Sequence, residues 1–220
     1  MTDYRARQHY QDERVAASYD AQYNDPIRLS NLRVRVFGWR EERVFAHLLR
    51  GTPKGGAVLD IPAGTGRYLK HLLDRGHQVG GADISKEMLR LARRRVGQDP
   101  NLLFLEAADA ASLPYSDGRF DGVVCMRLYH LVPPDERRKM LQEVRRVGKR
   151  WAILYFGMRS LWLDLRQGIR SYLIDEPMGN PYPVSMRGLR QELDGAGMHL
   201  EDIRWVLPVL AGGMVVRVSW

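Results

Sequence analysis

Polar and apolar positions along this chain follow two regimes, one helical and one alternating. Residues 4–20 are polar with a weak helical period, which ends near "SYDAQYNDP" where Asn24 and Pro26 break it. Over residues 29–50, Leu32, Val36, Trp39, Val44, Leu48 and Leu49 recur at helical spacing and predict a second helix with those side chains on its apolar face. "GTPKGG" stops it. From there short apolar runs alternate with amphipathic ones. "AVLDI", "HQVGGADI", "NLLFLEA", "FDGVVCM" and "RWAILYF" read as five strands. "TGRYLKHLLDRG", "SKEMLRLARRRV" and "PPDERRKMLQEVRRV" read as the helices between them, the second with Ser85 placed to accept from its first unpaired amides.

The last third departs from that alternation. Residues 157–185 mix aromatics, Pro and Gly without a period and read as an insertion after the fifth strand. "SMRGLRQELDGAG" is a helix with glycines at its end, and "MHLEDIRWVLP" and "GMVVRVSW", joined around "LAGG", form a terminal antiparallel hairpin. Strands alternating with helices imply an α/β fold, a parallel sheet with helices on both faces. The division expected is a helical cap over 1–52 and a core over 53–220 carrying the insertion, within one compact domain.

Composition alters this little. The 220 residues are 45% hydrophobic and 27% charged, ordinary for a globular chain, and no stretch of about 18 apolar residues is present to span a membrane. "MTDYRARQHYQDER" is too polar for a secretory signal. Cys125, the lone cysteine, excludes an internal disulfide and fits a reducing cytosol, so a cytoplasmic protein is expected; inside an apolar strand it reads as a small buried residue. There is no Cys/His cluster at metal-ligand spacing, and no metal is expected. The net charge of +8 divides evenly between the two halves of the chain. That is compatible with an anionic substrate, RNA or a membrane surface, and equally with a solvated surface.

The chemistry concentrates in "VLDIPAGTGRY", residues 58–68, where a strand ends on Asp60 and a loop with Gly64 and Gly66 follows. Such a turn lets backbone approach a nucleotide. A dinucleotide site would want a third glycine, but Leu69 stands there; a P-loop would want Gly-Lys-Ser/Thr, but Arg67 follows Gly66. Asp60 also opposes a pyrophosphate: like charges about 4–6 Å apart repel by roughly 3–4 kcal/mol at an effective dielectric near 20. The same carboxylate suits S-adenosylmethionine, which carries an ammonium and a sulfonium and no phosphate. Asp83 ends the second strand where an acid accepts ribose hydroxyls, Asp109 follows the third where it could accept from an adenine amino group, and Asp121 opens the fourth.

With these residues in place, the chain resembles the class I S-adenosylmethionine-dependent methyltransferases of small-molecule type, closely over residues 56–156 and again in "LRQELDGAGMHLEDIRWV". "DIPAGTGR" matches the family's first motif except that Pro62 replaces a common glycine. The resemblance implies a Rossmann-like seven-stranded sheet, six strands parallel and the last antiparallel. It assigns cofactor contacts to Asp60, Ala63, Gly64, Thr65, Gly66, Asp83, Ile84, Met88, Asp109, Ala110, Met126 and Arg127. "SYDAQY" resembles a segment that closes over the cofactor, with Tyr19 and Tyr23 as contacts or ordinary packing. S-adenosylhomocysteine is the product implied.

For the transfer itself, His130 in "CMRLYHLVPP" is the candidate base, Tyr129 the weaker alternative, and the bland reading of His130 is a structural or pocket-lining histidine. The insertion, with Met158, Trp162, Tyr172 and Tyr182, is the candidate lid. A small-molecule or lipid-like acceptor taking the methyl on oxygen, nitrogen or carbon is the leading expectation. "CMRLYH" lacks the Asn/Asp-Pro-Pro-Tyr/Phe stretch that amino-group methylases of bases and glutamine often carry. An RNA or protein methyltransferase using "LARRRV" and "ERRKMLQEVRRVGKR" is the alternative, and a non-catalytic cofactor-binding protein a third reading. Nucleic acid as partner is not favoured. "RSLWLDLRQGIRSYLI" is amphipathic enough for peripheral membrane contact, and a monomer or homodimer is expected.

Overall fold

Side chains along the central strands alternate between two covered faces, which is what burial on both sides of a sheet demands. The computed structural model describes residues 32–158, 181–207 and 211–220. The expected helix over 4–20, Tyr19, Tyr23, Trp162, Tyr172 and the amphipathic run over 159–174 lie outside the described residues.

The strands are β1 (Ala57–Asp60), β2 (Gln78–Asp83), β3 (Leu102–Ala107), β4 (Phe120–Cys125), β5 (Gly148–Gly157), β6 (His199–Leu207) and β7 (Ala211–Ser219). They form one sheet in the order β3-β2-β1-β4-β5-β7-β6. β7 pairs antiparallel with both β5 and β6, and the other pairings are parallel. The expected seven-stranded sheet, six strands parallel and the last inserted antiparallel by the terminal hairpin, is therefore present.

The helices are α1 (Leu32–Arg50), α2 (Arg67–Asp74), α3 (Lys86–Val96), α4 (Pro134–Val147) and α5 (Met186–Gly195). Phe45 and Leu48 of α1, Leu69 and Leu72 of α2 and Leu89 and Ala92 of α3 pack with Val58, Val124, Ile153 and Val215 on one face. Met140 and Leu141 of α4 and Leu189 and Leu193 of α5 pack with Leu59, Val123, Leu154 and Val216 on the other. Neighbouring residues of one strand thus enter opposite layers. Helix starts follow local chemistry: Ser85 Oγ accepts from the Met88 amide at 3.3 Å, as expected, and Ser185 Oγ from Gly188 at 3.1 Å. α4 opens with Pro134, Asp135 and Glu136 and closes with Arg145 and Arg146, each charge at the dipole end that favours it.

Two expectations change. In α1 the buried stripe is Gly38, Glu41, Phe45, Leu48 and Leu49, while Val36 and Trp39, predicted to face inward, are exposed. Glu41 takes their place because it meets Tyr68 and Arg127, as described below. Asp121 stands at the amino end of β4, where Oδ2 accepts from the Ala57 amide at 2.9 Å. It fastens the far edge of the sheet and is no part of the ligand-facing row.

Candidate active site

Parallel strands present their carboxyl ends along one edge, and the first crevice there opens where the chain order reverses. β1 is that strand, flanked by β2 and β4. Asp60, Asp83 and the residues after Cys125 consequently meet at one rim, in register through the pairs Asp60↔Gly81 and Asp60↔Val124.

Gly64 (φ +52) and Gly66 (φ +80) adopt backbone that side-chain-bearing residues seldom hold. A Cβ on Gly66 would stand 3.0 Å from the Cα of Ala92, so this glycine also lets α2 approach α3. The loop folds on itself and on β2: Gly66 N–H donates to Ala63 O at 2.9 Å, and Ala63 N–H to Ala82 O at 2.8 Å. Gly64 N–H donates to Asp83 Oδ2 at 2.8 Å. Ala63 and Thr65 are buried within it.

Asp60 is 0% exposed, and neither carboxylate oxygen has a hydrogen-bond partner among the described residues. Burial, then the charge of Asp83, pushes its pKa well above the ordinary carboxylate range; the Leu69 backbone offsets only part of this. Asp83 is raised to about 6, chiefly by burial, against the amides of Ser85 and Gly64 that hold it as an anion. Both acids are thus suppressed by the lack of water, and Asp60 also by the charge of Asp83. A cationic guest with hydroxyl donors relieves both, and a phosphate aggravates both.

The remaining contacts surround this pair. Ile84 is half-buried and Met88 buried, one directly after Asp83 and the other in the first turn of α3. Asp109 bends the chain after β3: its Oδ1 accepts from Ala111 N–H at 3.1 Å, and Ala110 is buried beside it. Met126 is buried at the end of β4. Arg127 follows with φ +59, its Nε 3.7 Å from Glu41 Oε2 and its guanidinium 5.5 Å from the centre of the Phe37 ring. It faces α1.

His130 belongs to a single 3-10 turn, Tyr129–Leu131. Its ring meets Tyr155 edge-on at 5.3 Å, and Nδ1 is buried without a hydrogen-bond partner among the described residues. Burial, with Arg127 adding to it, lowers the pKa to about 3, so the imidazole is neutral at every physiological pH. Tyr129 is placed elsewhere: fully buried, stacked on Phe156 at 5.1 Å, its pKa raised well up by burial and by Cys125. A phenol sealed in the core cannot reach an acceptor, which removes the weaker candidate base in this conformation. Cys125 is buried as expected, its thiol pushed up to about 12 by burial.

Comparison with known proteins places this geometry. A family model described as a methyltransferase domain matches residues 58–150, the span from β1 into β5. The chain is 35% identical over 149 residues to the ubiquinone/menaquinone biosynthesis C-methyltransferase UbiE of Pseudomonas fluorescens, covering 64% of this chain and 55% of that protein. These matches support a class I S-adenosylmethionine-dependent methyltransferase. The chain is also 39% identical over 129 residues to the demethylmenaquinone methyltransferase of Deinococcus radiodurans, covering 58% of this chain and 49% of that one. It thus spans about half the length of the curated relatives it matches. In fold it is similar to magnesium protoporphyrin IX methyltransferase of Synechocystis PCC 6803, solved with bound SAH, at a TM-score of 0.79 with 20% identity and 97% of each chain covered.

Two buried residues that brace the site were not legible as such in the sequence. Glu41, fully buried on α1, accepts from the Tyr68 hydroxyl and faces Arg127, while Oε2 has no hydrogen-bond partner among the described residues. Its place in the spacing Gly38, Glu41, Phe45, Leu48 was the available signal. Arg137, read as part of a basic outer face, is buried: it pairs with both oxygens of Glu192 at 2.6 and 2.7 Å and donates to the carbonyls of Tyr129 and Tyr182. Since Tyr182 N–H donates to His130 O at 3.3 Å, Arg137 holds the turn that carries His130. Other cations of that helix are paired too, Lys139 with Glu136 and Arg146 with Glu143 and Asp117. That weakens the nucleic-acid reading of this face.

Proposed function

We propose that this chain binds S-adenosylmethionine at the Asp60–Asp83 rim and methylates a small, apolar, ring-bearing acceptor of quinol type. The observation that carries the first half is Asp60: a fully enclosed carboxylate whose two oxygens have no hydrogen-bond partner among the described residues, beside a second buried acid, at the mouth of a strand-to-glycine turn. S-adenosylmethionine supplies, when bound, an electrophilic methyl on a cationic sulfur. The acceptor class is supported by the quinone C-methyltransferases among the relatives.

The chain's own residues have three tasks. The loop amides and Asp83 fix the nucleoside part, and fixing geometry alone is potentially worth about 7–11 kcal/mol of the barrier. The buried acids favour a cationic donor over its neutral product. His130 presents a neutral ring whose buried Nδ1 has no hydrogen-bond partner among the described residues. A group that protonates only near 3 is a poor net base for a phenol-like hydroxyl, so its role here is to accept that hydroxyl's hydrogen bond and orient the ring.

Calorimetry tests the cofactor first. The chain binds S-adenosylmethionine and S-adenosylhomocysteine, and Asp83→Ala weakens both by about 10- to 100-fold, the worth of hydrogen bonds to a charged group. Affinity for NAD or ATP in their place sinks the reading. Label transfer from S-adenosylmethionine to reduced demethylmenaquinone, in the wild type and in His130→Ala, then tests the acceptor. Strong cofactor binding with no transfer to any quinol would overturn the acceptor class while leaving the cofactor standing.

A further inference from the structure

The outer side of α1 carries a chemistry that methyl transfer does not use. Val36, Trp39, Arg43 and His47 follow one another at helical spacing along its exposed stripe, with Val36 44% and Trp39 53% accessible. Arg43 and His47, with Arg40 and Val44 beside them and Arg204 of β6 opposite, line a shallow cavity of about 200 Å³. The guanidinium of Arg43 lies 4.8 Å from the centre of the Trp39 ring, and Arg40 Nε donates to Val206 O at 3.4 Å, anchoring it at the rim.

Charge on α1 is segregated. Its acids point the other way, Glu41 into the core and Glu42 to Arg67 at 2.9 Å. Asp202 reaches the cavity side, 3.2 Å from Arg204 and 3.9 Å from His47, so one carboxylate stands against three guanidinium groups. The surface combines an excess of positive charge with an indole and an aliphatic side chain in the same few helical turns. Phosphate alone would need only the cations. RNA would use the cations and the indole but gain nothing from Val36. An anionic lipid interface satisfies all three, phosphate in the basic cavity and apolar side chains among the acyl chains.

We propose that the outer face of α1, with Arg204, docks this chain on anionic membrane surfaces. The buried side of the same helix holds Glu41 against Arg127, which follows β4 beside the candidate site. The inference needs neither cofactor nor acceptor and stands or falls apart from the reading of the reaction.

The test is co-sedimentation of the full chain with vesicles of phosphatidylcholine alone and of equal parts phosphatidylcholine and phosphatidylglycerol. The wild type pellets with the mixed vesicles and stays in solution with the neutral ones, and added salt releases it. Arg43→Glu combined with Arg204→Glu weakens binding by at least about thirtyfold, given roughly fivefold per basic side chain near such a surface. Trp39→Ala weakens it by about tenfold. Circular dichroism confirms that the variants fold. A wild type that ignores both vesicles overturns the proposal. So does binding that survives in both variants, which would move the contact to another segment, or loss in the variants of RNA binding alone.

Discussion

Asp60, Asp83 and Glu41 are carboxylates held where water barely reaches, and each resists ionising for that reason first. Glu41 is the clearest to test because it lies outside the ligand rim. Its pKa rises to about 7 through burial, which outweighs the attraction of Arg67 and the Tyr68 hydrogen bond. A folded pKa above the unfolded one means that, between about 4.5 and 7, the native chain keeps a proton the unfolded chain has lost. Glu41's stabilising share is therefore complete below about pH 4.5 and gone above about pH 7, a swing on the order of 3 kcal/mol. Glu41→Gln, which carries no titratable proton, should lose less stability than the wild type between about pH 5 and about pH 8 in urea denaturation. Asp60 and Asp83 titrate in both proteins, so the difference isolates Glu41. Parallel pH profiles would show that this carboxyl is not buried as described.

Helices here are placed by local caps but oriented by what they meet. α4 begins at a proline with two acids in its first turn, features legible in its sequence, yet its contribution to the site comes from one arginine turned inward. Arg137 ties α4 to Glu192 of α5 and to the carbonyls around the His130 turn. Removing one partner of a buried pair strands the other, at about 3–5 kcal/mol. Arg137→Ala should cost that much in chemical denaturation, and Arg137→Lys should recover part of it, lacking the fork that meets both oxygens of Glu192. A loss below about 1 kcal/mol would mean the pair is solvated and does not fix the turn. α1 shows the same dependence on surroundings, since its buried stripe includes Glu41 and omits Trp39.

At the scale of the molecule, the sheet order puts two suppressed acids into one crevice, and this couples ligand binding to protons. A cation arriving beside Asp60 and Asp83 favours their ionised forms and lowers both pKa values. Below about pH 6, where Asp83 is largely protonated in the free chain, binding S-adenosylmethionine releases protons, and affinity falls as pH drops further. Calorimetry near pH 6 in buffers of different ionisation heat should show a buffer-dependent enthalpy. S-adenosylhomocysteine, without the sulfonium charge, should release fewer protons. Identical, buffer-independent heats for the two ligands would show that the acids do not sense the sulfur.

The sequence by itself determined the order of strands and helices, the terminal hairpin, the glycine turn and the acids ending β1 and β2. Each of these depends on residues a few positions apart: a hydrophobic period, a serine before a helix, a glycine where φ must be positive. Tertiary structure alone decided that Asp121 fastens the opposite edge of the sheet, that Tyr129 fills the core, that Arg137 is internal and that α1 turns a glutamate inward and a tryptophan outward. Those outcomes are set by partners 27 to 64 positions away, such as Tyr68 for Glu41, Glu192 for Arg137 and Ala57 for Asp121. A local pattern says that a side chain has a preferred neighbourhood; only the packed sheet says which neighbour is there.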